Sequence, residues 1–75
     1  MSLPFDADRM RERRERKGLT LASLAARCAS IGRPVSPQYL GRLEIGAHKP
    51  SAPMFKTICD ALEVNEDDLL AEDAA

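Results

Sequence analysis

Residues 20–46 read TLASLAARCASIGRPVSPQYLGRLEIG, and two helices with a stop between them account for that stretch. Thr20 can cap a helix from Leu21, because its hydroxyl satisfies a free N–H of the first turn. Leu21, Leu24, Ala25 and Cys28 then recur at i, i+3, i+4 and i+7, the spacing that lines one helix face. Gly32 and Pro34 stop this helix, which ends between Cys28 and Ile31. Ser36-Pro37 opens the next one. Serine caps, and proline takes the first helical position, where its missing N–H is not needed. This short helix runs to about Glu44 with Leu40 and Leu43 facing inward, and Gly46 terminates it.

Outward from this pair the chain remains helical. Asp6 caps a run of strong helix formers from Ala7 to Lys17, and Gly18 stands where a left-handed terminating residue is wanted. Met10 is the one large apolar side chain of that segment, aided by Leu3 and Phe5. Beyond the pair, His48-Lys49-Pro50 is a loop. Ser51 caps a helix from Ala52 to Leu62 in which Phe55, Ile58, Cys59 and Leu62 form one stripe. Asn65 caps a last short helix, Glu66 to about Ala71, with acids in its first turn as the helix dipole prefers and Leu69 and Leu70 as its apolar part. The expectation is an all-α, five-helix bundle forming a single domain over residues 1–75, with its core within about 6–71.

Composition narrows the function classes. A chain of 75 residues buries only about 60% of its unfolded surface, enough for one core. No run approaches the roughly 20 apolar residues that cross a bilayer, and no secretory signal opens the chain, so a cytoplasmic location and no membrane partner are expected. Cys28 and Cys59 sit inside apolar helical patterns and read as small buried hydrophobes. With His48 the single histidine, no four-ligand zinc set exists, and Glu66-Asp67-Asp68 lacks calcium-loop spacing. No metal or other cofactor is expected. No nucleophile–base–orienter set and no glycine-rich phosphate cradle is present, which argues against an enzyme.

The net charge of −1 conceals an asymmetry. Residues 1–50 carry ten Lys/Arg against five Asp/Glu, a net of +5, while residues 51–75 carry Lys56 against seven acids, a net of −6. Binding to a polyanion follows local potential more than the sum, so the basic part can present a positive face with the acidic tail turned away. The Arg9-to-Lys17 run has a plainer reading. A mixed Arg/Glu helix is ordinarily a solvated face laced with i,i+4 pairs.

Two helices joined by a turn and followed by further helices already outline a helix-turn-helix module. The ordered set Gly18-Leu19-Thr20, Leu24-Ala25, Val35-Ser36, Leu40, Arg42-Leu43-Glu44-Ile45-Gly46, Pro50-Ser51 and Ile58 to Val64 resembles the Cro/repressor-type (XRE-like) helix-turn-helix family. The resemblance runs from about Met10 to Leu70. It implies a bundle of the phage-repressor DNA-binding-domain type, whose second and third helices form the helix-turn-helix and whose third enters the major groove of double-stranded DNA. The base-contacting positions then fall on Pro37, Gln38, Tyr39 and Arg42. Gln38 can bond adenine bidentately, Arg42 can grip guanine O6 and N7, and Pro37 can only pack on a thymine methyl. Tyr39 can reach a base or a phosphate. Thr20, Arg33, Ser36, His48 and Lys49 are the phosphate candidates. The resemblance also pairs Arg14 with Glu44, an ion pair that fixes the third helix against the first.

Two features depart from the family pattern. Leu21 stands where a DNA-contacting glutamine is common, and Ser30-Ile31-Gly32-Arg33-Pro34 lengthens the turn by about five residues. The reading that follows is a sequence-specific transcriptional regulator, a repressor, acting as a homodimer whose interface lies around Leu69 and Leu70. The alternative is an antitoxin or adaptor-type module that binds a protein partner, motivated by the acidic segment after Lys56.

Overall fold

The computed structural model describes residues 4–71. Four α-helices, α1 (Ala7–Arg16), α2 (Leu21–Ile31), α3 (Pro37–Glu44) and α4 (Ala52–Leu62), are followed by a four-residue 3-10 turn, Glu66–Leu69. Each α-helix starts at a capping side chain. Asp6, Thr20, Ser36 and Ser51 accept from the backbone N–H of Arg9, Ser23, Tyr39 and Met54, at 3.0 to 3.2 Å. Such a bond replaces a partner that the helix itself cannot supply.

The core collects one stripe from each element. Met10, Leu24, Cys28, Leu40, Leu43, Ile58, Cys59, Leu62 and Leu69 are essentially inaccessible, with Ala25, Met54, Phe55 and Ala61 nearly so. Phe5 closes one end, its ring edge-on to Phe55 at 6.1 Å. In space α2 packs on both α3 and α4, and α1 packs on α3 and the terminal turn. The expected help of Leu3 around Met10 lies outside the described residues.

Three expectations are corrected. The fifth helix is a single 3-10 turn. Asp68 folds back to accept from Asn65 N–H at 3.0 Å, and Leu70 is already extended. Leu70 forms an antiparallel bridge with Phe5, where Asp6 N–H donates to Leu69 O at 2.9 Å and Ala71 N–H to Pro4 O at 2.6 Å. Pairing with the N-terminal strap satisfies those backbone groups in place of further helix. Second, Leu69 is fully buried in the monomer, so it is not available to an interface between copies. Third, Ser30 and Ile31 belong to α2, so the connection to α3 begins only at Gly32. Gly32 N–H donates to Ala29 O and Arg33 N–H to Cys28 O, both at 3.0 Å, closing α2 with Gly32 at φ 110°, a conformation that favours glycine.

Candidate nucleic-acid interface

Ser36 and Pro37 set α3 on the bundle so that Leu40 and Leu43 point in, while Gln38 and Arg42, one turn apart, are exposed. Two contacts hold the helix there. Midway along it Gly41 lies against α2, with Leu21 Cδ1 at 3.4 Å from where a Cβ would stand. Leu21, the departure from the family pattern, is half-buried and serves this packing. At its C-terminal end Arg14 grips Glu44, Nε to Oε2 at 2.7 Å and Nη2 to Oε1 at 3.0 Å, while Nη1 donates to Leu19 O at 2.7 Å. The Glu44 hydrogen bond outweighs desolvation and holds the Arg14 guanidinium above its ordinary pKa.

The basic residues divide sharply. On α1, Arg9 is engaged with Asp6, Arg11 with Glu15, Arg16 with Glu12 and Arg14 with Glu44. The acidic segment comes back onto the same helix and its end, Asp68 to Arg13 at 3.4 Å and Glu63 to Lys17 at 2.9 Å. Arg27 donates to Ala61 O, Arg33 to Thr57 Oγ1, and Lys56 pairs with Asp60. Of the eleven Lys and Arg, Arg42 and Lys49 have no hydrogen bond or ion pair to another of the described residues. One lies on α3, the other in the loop just after it.

A groove of about 310 Å³ runs beside α3, lined by Arg33, Pro34, Val35, Ser36, Tyr39, Ser51 and Met54. It brings three of the sequence candidates together: Arg33, Ser36 and Tyr39. His48 joins them from the loop, its ring stacked on Tyr39 with centroids 6.5 Å apart and planes at 24°. Thr20 is not part of the groove. Its hydroxyl caps α2 and also bonds Ser23 Oγ at 3.0 Å, just as the Ser36 hydroxyl is engaged in capping α3. Pro37 is half-buried, and Lys49 is exposed.

Thr57 is a residue that sequence reading missed. It lies on α4, receives Arg33 Nε at 3.2 Å and donates its own proton to Pro53 O at 3.0 Å. The contact spans 24 residues, and no local pattern announces it.

A family model described as a helix-turn-helix domain matches residues 7–72 of this chain. The chain belongs to that family. No curated protein matches the sequence. In a helix-turn-helix domain the first helix of the pair crosses the DNA backbone and the second lies in the major groove. Here those are α2 and α3, and the coarse function that membership carries is DNA binding. Among the described residues no helix is long and apolar enough to cross a membrane, and no group of His, Cys, Asp and Glu could hold a metal.

Proposed function

We propose that this helix-turn-helix domain is a sequence-specific transcriptional regulator, a repressor, that reads the major groove with the helix opened by Ser36 and Pro37. The observation that carries this reading is the distribution of free positive charge. Seven basic side chains pair with carboxylates and two, Arg27 and Arg33, bond neutral oxygens, whereas Arg42 and Lys49, on α3 and just after it, have no partner among the described residues. A protein that binds a polyanion needs uncommitted cations on the docking face, since internally paired ones release few counterions on binding.

In this reading Gln38 and Arg42 supply base contacts, with Pro37 and Tyr39 beside them, and each good bidentate pair discriminates by about 1–3 kcal/mol. Lys49, His48 and Arg33 meet phosphates, together with the capped helix starts at Thr20 and Ser36. A homodimer on a two-fold site extends the few base pairs that one short helix covers. The location is cytoplasmic, with double-stranded DNA as the partner and no cofactor. The rival module for a protein partner loses part of its motive, because Asp60, Glu63 and Asp68 are paired within the chain.

Selection of bound sequences from a random DNA pool tests the proposal. A recovered half-site, with affinity lost in a Gln38→Ala, Arg42→Ala double variant, is the expected result. Binding indifferent to sequence and governed by salt alone overturns it.

A further inference from the structure

Ile45 is the most exposed large apolar side chain among the described residues, at 78%, with Ile31 next at 46%. A single exposed isoleucine is ordinary on a protein surface. Its company is what gives this one meaning. Ile45 N–H donates to Gly41 O at 3.2 Å, so the register of α3 persists through it. Gln38, Arg42 and Ile45 therefore fall at i, i+4 and i+7, within about 60° of one another around the helix axis. The opposite side of the helix holds Leu40 and Leu43, both fully buried. Two cations with no partner among the described residues flank Ile45 in the chain, Arg42 one turn before it and Lys49 just beyond the turn at Gly46.

An occupant of this stripe must offer an amide-matching edge at Gln38, acceptors or negative charge at Arg42 and Lys49, and an apolar spot at Ile45. The major-groove edge of DNA has one apolar group to offer, the C5 methyl of thymine. We infer that Ile45 is a further specificity-determining residue, packing on a thymine methyl at the edge of the half-site read by Gln38 and Arg42. This rests on the DNA-reading role proposed for α3. The contact forms no hydrogen bond. Its discrimination comes from removing the methyl and the isoleucine branch from water together.

Deoxyuridine in place of each thymine of the selected half-site removes that methyl alone and leaves every Watson–Crick and phosphate group intact. For the unaltered chain, one position is expected to lose about fourfold in affinity, the worth of one buried methyl. Ile45→Ala is expected to bind the thymine site more weakly and to be blind to the exchange at that same position. Ile45 is exposed, so the variant should keep its thermal midpoint. Neutral exchange at every thymine overturns the inference while leaving the DNA-reading role standing. So does an Ile45→Ala chain that still distinguishes thymine from uracil, or one that changes only the association state in sedimentation, which would mark a protein-docking residue. Failure to recover any preferred sequence removes the role of α3 itself.

Discussion

Arg14 and Glu44 meet as a two-pronged ion pair between α1 and the last turn of α3, with side chains only 13% and 5% exposed. Planar guanidinium on planar carboxylate fixes angle as well as distance, so the pair sets the pose of α3 on the bundle. Glu44→Ala leaves the Arg14 charge with the Leu19 carbonyl and the more distant field of Glu15. A loss of about 3–5 kcal/mol in urea unfolding is expected, because breaking one side of a buried pair strands the other. A loss below about 1 kcal/mol would class the pair with exposed bridges. Arg14→Lys is expected to fall in between, since an ammonium cannot make both parallel bonds.

The salt dependence of DNA binding should be shallow. With Lys49 and Arg33 as the charged groups that meet phosphates, the slope of log K against log salt is expected near −2 per chain. Lys49→Ala should reduce its magnitude by about 1. Arg11→Ala and Arg16→Ala, which remove cations paired with Glu15 and Glu12, should leave it unchanged. A steep slope that falls with the α1 substitutions would move the docking face to α1.

The Tyr39–His48 stack separates two ways in which His48 can matter. Phenylalanine at 48 keeps an aromatic face on Tyr39 and removes both ring nitrogens. A phosphate contact predicts that His48→Phe weakens binding equally on the selected site and on unrelated DNA. Unchanged affinity in His48→Phe with loss in His48→Ala would show that the stack alone matters.

Both thiols are buried and neutral. Desolvation raises the pKa of Cys28, and burial aided by the Glu66 and Asp60 carboxylates pushes Cys59 up to about 11. A group whose folded pKa is raised contributes stability below its unfolded value, near 9, and that stability is lost as pH rises toward 11. Unfolding midpoints should therefore fall across pH 9–11, and a Cys59→Ala chain should show less of this alkaline loss. At pH 8, thiol reagents should label neither residue until the chain unfolds.

Glu63 closes α4 with a left-handed backbone, φ 59°, where the other α-helices use glycine. Its hydrogen bond from Lys17, and then the Lys17 charge, hold its carboxyl below the usual range. The linked stability is present above the unfolded carboxylate pKa and is lost as pH falls through the folded one. The thermal advantage of the natural chain over Glu63→Gln should shrink in acid. Glu63→Gly, which also lacks the carboxylate but tolerates this backbone, should melt above Glu63→Gln at neutral pH.

Much of the fold could be read locally. Asp6, Thr20, Ser36 and Ser51 announce helix starts through a bond to a backbone N–H three residues on, a distance that sequence measures directly. The stripes of α2 and α4 follow from helical period alone. The last helix failed because helical propensity at 66–71 competes with backbone pairing to residues 4–6, a partner more than 60 positions away. The plain reading of the α1 arginines covered the i,i+4 pairs Arg11–Glu15 and Arg16–Glu12, yet Arg13–Asp68 and Lys17–Glu63 lie beyond any helical spacing.

By itself the sequence determined where the α-helices begin, which faces they bury, and that Gln38 and Arg42 share a side of the third one. Those properties are set within a turn or two of each residue. Only the packed structure decided which distant charges pair, that Arg33, Ser36 and Tyr39 share a groove with Ser51 and Met54, and that the acidic end meets Arg13 and Lys17. Pairings between distant segments depend on how whole helices dock, and a list of spacings along the chain does not contain that information.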